Sequence, residues 1–324
     1  MGDTENKPMR VSYQGIKGSF SYRACSEYFP DGYYQGYRGF QDALSAVENG
    51  DVDFAMIPVE NSTSGRVMEV YNLLPESGLF IVGEHMVPIH HCLMIPRKAF
   101  RGAPPENMTT KDIVAWKESD LSAEEVAVAL SSIREVRSHP QALSQCRKFM
   151  ADNLPRASAK EYYDTAGAAR AIANFMSPDI AAIASEDAAD LYNMTILQKN
   201  IEDVDMNTTR FLVLAREPLA AGALSGPAIS SILFETAHKP GALFRVLNVF
   251  ERHNIDMTKL ETYMAGPARP NPTFYVDVGA NMADPAMKPV LDEFAGHTAA
   301  MRIMGCYPAS DLRGHGNPFL PVAA

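Results

Sequence analysis

Residues 53–65 read Asp-Phe-Ala-Met-Ile-Pro-Val-Glu-Asn-Ser-Thr-Ser-Gly, an apolar run that passes into a polar turn. Asp53 to Pro58 has the length of a buried strand, Asn61 to Gly65 collects turn formers, and a helix follows from Val67 to Leu74. N-terminal to this, Val11–Tyr13 reads as a strand, and Ser19 or Ser21 caps a helix running to Phe29. Phe40, Ala43, Leu44 and Val47 recur at helical spacing, and Asn49-Gly50 stops that helix. Phe80–Val87 and Ile89–Ile95 are further strands. Strands and helices in this order predict an α/β fold, with a largely parallel sheet and helices on both faces.

Pro96, Pro104 and Pro105 mark a crossing over Arg97–Glu106. A second series follows, with strands at Ile133–Arg137 and Ile180–Ala184 and helices at Pro140–Met150 and Thr165–Phe175. Ser185-Glu186-Asp187 opens another helix with an acidic first turn, before strands at Met194–Leu197 and Arg210–Leu214. This predicts two lobes with a ligand cleft between them: about 10–97 with 191–216, and about 98–190. Glu217–Pro227, rich in Pro, Gly and Ala, is the linker. Residues 228–310 then give strand, helix, strand, strand, helix, strand. This is the ferredoxin-like βαββαβ order, read as a self-contained unit, with residues 311–324 as a tail.

With 46% apolar and 21% charged residues, the 324-residue chain has the composition of a soluble globular protein of more than one folding unit. A net charge of −10 argues against nucleic acid and against an anionic membrane surface. Residues 228–310 hold seven Lys/Arg and eight Asp/Glu, net −1, so the acidic excess lies N-terminal to them. An anionic substrate must therefore be held by local groups. Cys25, Cys92, Cys146 and Cys306 lack metal-ligand spacing and read as reduced, buried side chains. Met1–Arg10 is polar, with neither a signal peptide nor a membrane span, so a cytoplasmic location is expected. No HxxxH or HExxH pattern occurs, and His90 and His91 would face opposite sides of a strand. Gly15-Ile-Lys-Gly18 completes no nucleotide loop. Neither metal nor organic cofactor is expected.

Three segments carry polar side chains suited to chemistry. Pro58–Gly65 lies between a strand and a helix, where hydroxyls and backbone N–H groups would cradle an anion. A capped turn explains the same residues, and on composition alone it ranks first. Asn207-Thr208-Thr209-Arg210-Phe211 offers a donor hydroxyl and a guanidinium able to pair with a carboxylate, or simply starts a strand. In Ser138-His139-Pro140-Gln141, Ser138 fits the cap of an ordinary helix.

Taken in order, Gln14–Ser21, Ile57–Ser62, Ser138–Gln141 through Gln145-Cys146, Ala182–Ser185 and Asn207–Phe211 resemble prephenate dehydratase. The resemblance runs from about Val11 to Pro308 and ranks the functional readings above the bland ones. It implies a two-lobed, periplasmic-binding-protein-like catalytic domain that removes water and carbon dioxide from prephenate, giving phenylpyruvate without a cofactor. One general acid and donors for two carboxylates are then required. The resemblance implies Thr209, Asn61, Ser138 and Gln145 as catalytic residues. Ser62, Thr63, Ser64, Gly65, Arg210, Phe211 and Thr165 would bind substrate, with Asp164 beside Thr165. The C-terminal segment resembles an ACT domain, with Gly241, Ala242, Leu243, Phe244 and Glu261 implied as a phenylalanine site. Where dehydratases carry Glu-Ser-Arg-Pro, this chain has Glu261-Thr262-Tyr263-Met264. Dimers or tetramers are expected, and so is a monofunctional chain. Arogenate dehydratase, or dual use of both substrates, remains open as the alternative. A non-catalytic amino-acid-binding protein is disfavoured by the Thr-Arg-Phe segment, and an ACT-containing transcription regulator by the absence of a helix-turn-helix.

Overall fold

A computed structural model of the chain describes residues 7–101, 107, 109, 121–220, 222–263, 271–314 and 319. Residues 264–270, residues 102–106 of the crossing and most of the tail lie outside them. The chain divides into two compact units. One comprises Met1–Gln14, Ala24–Val87 and Thr208–Ala324; the other comprises Gly15–Arg23 and Pro88–Asn207. No helix among the described residues is long and apolar enough to cross a membrane.

In the first unit, β1 (Arg10–Gln14) lies parallel to β2 (Tyr33–Tyr37) and to β3 (Phe54–Asn61). β4 (Gly65–Arg66) pairs with β3. β5 (Phe80–Pro88) lies at the far edge of the same sheet. The Phe40–Glu48 helix buries Ala43, Leu44, Ala46 and Val47, the apolar stripe that its spacing predicts.

In the second unit, β6 (Cys92–Pro96), β7 (Glu135–Ser138), β8 (Ser158–Glu161), β9 (Ile180–Ala184) and β10 (Met194–Gln198) form a sheet ordered β10-β6-β9-β7-β8. Its two faces are covered separately. Leu93, Ile95, Val136 and Ile183 pack on one side; Met94, Ala182, Ala184 and the Ala-rich Thr165–Ile172 helix pack on the other.

Both sheets are more mixed than expected. β11 (Thr208–Ala215) inserts between β3 and β5 antiparallel to β3, and β6 is antiparallel to β9 and β10. These pairings place β6 and β10 in the second sheet, and the crossings between units fall at 14/15, 23/24, 87/88 and 207/208. The edge strands β2 and β8 are too exposed to carry an apolar signal. The Ala123–Ser132 helix is a further element beyond those expected, opened by a Ser122/Glu125 capping box. The helix expected over Pro140–Met150 breaks at Cys146 and restarts at Arg147, where the Asp203 carboxylate accepts the Lys148 N–H at 3.1 Å. This cap comes from 55 residues away, so no local pattern reveals it.

The C-terminal segment folds as β12 (Ala228–Glu235), the Ala242–Arg252 helix, β13 (Met257–Tyr263), β14 (Thr273–Val278), the Lys288–His297 helix and β15 (Ala300–Pro308). Its sheet order, β13-β14-β12-β15, is ferredoxin-like. Ile232, Phe234, Phe274, Val276 and Val278 pack against its two helices. The other face corrects the expectation of a self-contained unit. Ile229, Tyr275, Met304 and Tyr307 share one core with Ile57, Ile81, Leu212 and Leu214 of the first sheet. At Gly305 the approach is so close that a Cβ would lie 2.0 Å from the Ile81 carbonyl oxygen.

An ion cluster lies inside this shared core. Arg210, 1% exposed, donates from Nε to Glu84 and from Nη1 to Asp277, both at 2.7 Å, and from Nη2 to the Tyr307 hydroxyl at 3.0 Å. Arg313 donates from Nε to Glu84 at 2.6 Å, so the tail at this point is anchored. Two guanidinium groups and two carboxylates thus balance. Burial works to raise the Glu84 pKa, but Arg210, Arg313 and the Ser310 N–H outweigh it and push the value down to about 2. Removing one partner strands a buried charge. Glu84→Gln is expected to cost about 3–5 kcal/mol at neutral pH, read by urea unfolding. Because the folded-state pKa of Glu84 is depressed, its contribution is complete above the ordinary carboxylate value and is lost as pH falls towards about 2. This part of the acid sensitivity should be missing from the Gln variant.

Candidate active site

β3 continues through Glu60 and Asn61, and the turn closes directly onto β4, with Asn61 opposite Gly65 and Glu60 opposite Arg66. The segment is therefore a hairpin and not a strand-to-helix turn. The buried Asn61 organises it. Its Oδ1 accepts from the Thr63 N–H at 3.1 Å, the Thr63 hydroxyl at 2.8 Å and the Ser64 N–H at 3.0 Å. The Ser62 N–H donates to the Thr208 carbonyl at 2.9 Å, and the Ser62 hydroxyl accepts from the Thr208 N–H at 2.9 Å. The expected cradle of backbone amides is thus overturned: the N–H groups of residues 62 to 64 close the turn and hold it to β11. The Asn61 side chain builds an Asx-type turn, as the local reading of those residues proposes. Thr63, Ser64 and Gly65 remain exposed.

The other end of the Asn61 amide meets Thr209. Asn61 and Thr209 are register partners, and Asn61 Nδ2 donates to Thr209 Oγ1 at 2.9 Å. Because this bond uses a lone pair of Oγ1, it leaves the Thr209 O–H able to act as a donor. Donation into the oxygen also polarises that O–H, which strengthens it as a donor. Arg210 projects to the opposite face of the strand. The expectation that it binds a substrate carboxylate is overturned, because its guanidinium is buried on Glu84, Asp277 and Tyr307. Phe211, at 1% exposure, also offers no binding surface.

In the second unit, Ser138 ends β7 fully buried and donates its hydroxyl proton to the Ile183 carbonyl at 2.6 Å. It does not cap the next helix; His139 does, accepting the Gln141 N–H on Nδ1. Gln145 ends that helix, half-buried, with Oε1 2.9 Å from His91 Nε2. Burial pushes the His91 pKa below the ordinary histidine value; Gln145 and Glu202 oppose this only in part. Thr165 occupies the first turn of a helix capped by Asp164, whose carboxylate accepts the Gly167 N–H. Ser185 caps the Glu186–Leu191 helix and also donates to the Gly18 carbonyl at 2.8 Å, which holds the Gly15–Ser19 loop.

The implied phenylalanine residues separate into two places. Gly241 to Phe244 line a surface pocket together with Thr236, His238 and Phe274. Gly241 adopts φ +73°, a left-handed conformation that favours glycine at this cap. Glu261 lines no part of that pocket: it pairs with Arg66 of the hairpin at 2.5 Å and with Lys259 at 3.0 Å. Lys259 in turn pairs with Glu60 at 3.0 Å.

Of the sequence-assigned residues, the fold brings Asn61, Ser62 and Thr209 together in one unit, whereas Ser138, Gln145 and Thr165 belong to the other. His91, Glu202, Asp203 and Lys259 were missed, since their roles rest on distant partners. Glu84 and Asp277 did carry a signal, because each is a lone acid in an apolar strand. Among the described residues, no three His, Cys, Asp or Glu side chains gather as metal ligands would.

The family model described as prephenate dehydratase matches residues 11–219. The chain is 34% identical over 329 residues to arogenate dehydratase/prephenate dehydratase 1, chloroplastic, of Arabidopsis thaliana, covering 96% of this chain and 75% of that protein. It is 32% identical over 303 residues to a bifunctional N-acyl-homoserine lactone acylase/prephenate dehydratase of Komagataeibacter europaeus, covering 94% and 97%. In fold it is similar to the crystal structure of prephenate dehydratase in complex with L-Phe from Arthrobacter aurescens, at 23% identity and a TM-score of 0.78 over 97% of this chain and 93% of that one. With well over half its length matched, the chain belongs to the prephenate dehydratase family.

Proposed function

We propose that the chain converts prephenate to phenylpyruvate, carbon dioxide and water, and that Thr209 assists departure of the ring hydroxyl. The hydrogen bond from Asn61 Nδ2 to Thr209 Oγ1 carries this reading. The C–C bond to the ring carboxylate breaks, and its electron pair completes the aromatic ring. The C–O bond opposite breaks, and the hydroxyl leaves as water after gaining a proton. Threonine is too weak an acid to protonate a leaving group outright, so its polarised O–H supplies a hydrogen bond or passes a proton on. Asn61 is proposed to orient Thr209, and Gln145 to supply a further donor; the hydroxyls of the 62–64 turn are secondary. Arogenate, with an amino group in place of the keto group, is the alternative substrate, and the Arabidopsis relative is named for both activities.

We further assign the dehydratase domain to residues 10–216 and a regulatory ACT domain to 228–310. L-Phenylalanine is the proposed effector at the Gly241–Phe244 pocket; the Arthrobacter neighbour, described as a complex with L-Phe, supports this ligand. Self-association and a cytoplasmic location belong to the same proposal.

Purified chain given prephenate or arogenate, without added metal, should form phenylpyruvate or phenylalanine respectively. Acyl-homoserine lactone serves as a comparison arm. Turnover of neither dehydratase substrate by folded protein would sink the proposal. Thr209→Ala should lose at least about 100-fold in kcat with the fold intact. Asn61→Asp keeps the acceptor oxygen that organises the turn but removes the donor to Thr209, so kcat should fall by about tenfold or more. Unchanged kcat in either variant would remove that residue from the mechanism. In calorimetry, Gly241→Ala should weaken L-phenylalanine binding, whereas Glu261→Gln should leave it near wild type. The reverse pattern would refute the assigned pocket.

A further inference from the structure

His91 is a buried titratable side chain that the reaction scheme leaves unused. It is 2% exposed, just before β6, and its backbone is held on both sides. Its N–H donates to Glu202 Oε2 at 2.9 Å, and its carbonyl accepts from the Ile201 N–H at 3.0 Å. The ring packs against Phe20 in a T-shaped arrangement, with centroids 5.8 Å apart. The imidazole therefore has one orientation, with Nε2 2.9 Å from Gln145 Oε1. Nδ1 is buried with no hydrogen-bond partner among the described residues. A lone pair is the less costly occupant of such a position than an N–H, so the ring proton resides on Nε2 and is donated to Gln145.

The same short segment holds the backbone of Gln145. The Asp203 N–H donates to the Gln145 carbonyl at 2.7 Å, while the Asp203 carboxylate caps the following helix at Lys148. Glu202 meanwhile bridges the His90 ring and the His91 N–H, at 2.7 and 2.9 Å. Residues 201–203 thus hold the backbones of both His91 and Gln145. A side-chain amide whose oxygen accepts from an immobile N–H cannot exchange its two ends, so its NH2 is the end presented as donor. From this geometry we infer that His91 is a positioning residue for the dehydratase reaction, locking the Gln145 amide in its donor orientation. The inference rests on the dehydratase reading and on Gln145 as a substrate donor.

The test is a double-mutant cycle in the full chain with prephenate: His91→Phe, Gln145→Ala and the pair, with His91→Gln as the conservative variant. His91→Phe keeps an apolar ring but has no N–H, and it should lower kcat/KM on the order of tenfold. His91→Gln places an amide N–H near the position of Nε2 and should recover most of that loss. The double variant should be no worse than Gln145→Ala alone. Losses that multiply in the double variant, or equal defects in the Phe and Gln variants at native melting temperatures, would overturn the inference. Nitrogen-15 spectra give a readout independent of turnover. The proton should reside on Nε2 in the wild type and lose that preference in Gln145→Ala; a wild-type proton on Nδ1 overturns the assignment. If neither prephenate nor arogenate is turned over, the dehydratase reading fails and the spectra alone decide the His91–Gln145 pairing.

Discussion

The buried guanidinium of Arg210 is the constraint on which the first unit depends. Three strands and a tail segment converge on this cluster: β5 through Glu84, β14 through Asp277, β15 through Tyr307, and the residues after β15 through Arg313. In an apolar core, each of these charges is tolerable only while its partners stay in place. The Ser231 hydroxyl donates to the second oxygen of Asp277, and the Tyr275 hydroxyl donates to Ser231, so the carboxylate is further engaged. Apolar burial alone would allow the ferredoxin-like sheet to slide on the sheet beneath it. The ion cluster and the contact at Gly305 select one register.

That register reaches Thr209 through the chain itself. Arg210 points into the shared core, and Thr209, one residue earlier, points to the opposite face beside Asn61. One strand thus carries the anchor of the C-terminal sheet and the hydroxyl assigned to chemistry on adjacent residues. A second route runs through the hairpin. Glu60 and Arg66 face each other across β3 and β4, and Lys259 and Glu261 of β13 pair with them. Lys259 is nearly buried and lies 5.4 Å from the Tyr71 ring centroid, so this chain of charges is better ordered than a surface pair.

In the second unit the same economy of parts appears in an acidic segment. Residues 201–203 hold the His91 backbone, the Gln145 backbone and the start of the Arg147–Asn153 helix. The break at Cys146 is what leaves Gln145 at a helix end, where its side chain meets His91.

The sequence by itself determined the elements whose signals are local. The Phe40–Glu48 stripe, the Ser185 cap with its acidic first turn, the βαββαβ order and the Asn-Ser-Thr-Ser-Gly turn all follow from neighbours within a few residues, and the ordered motifs were enough to indicate the family. The exposed edge strands β2 and β8 gave no such signal, because neither buries a face. Only the tertiary structure decided which polar groups meet. Arg210 reads locally as a carboxylate binder, but its partners lie 126 and 67 residues away and bury it. Pro58–Gly65, promoted to an anion cradle by the resemblance, keeps the capped turn that its composition favours, with its amides closing a hairpin onto β11. Glu261 reads as an effector contact until it is found beside Arg66. In each case the residue type fixes which interactions are possible, whereas burial and long-range pairing decide which one forms, because an unpaired charge or amide in the core costs more than any local preference supplies.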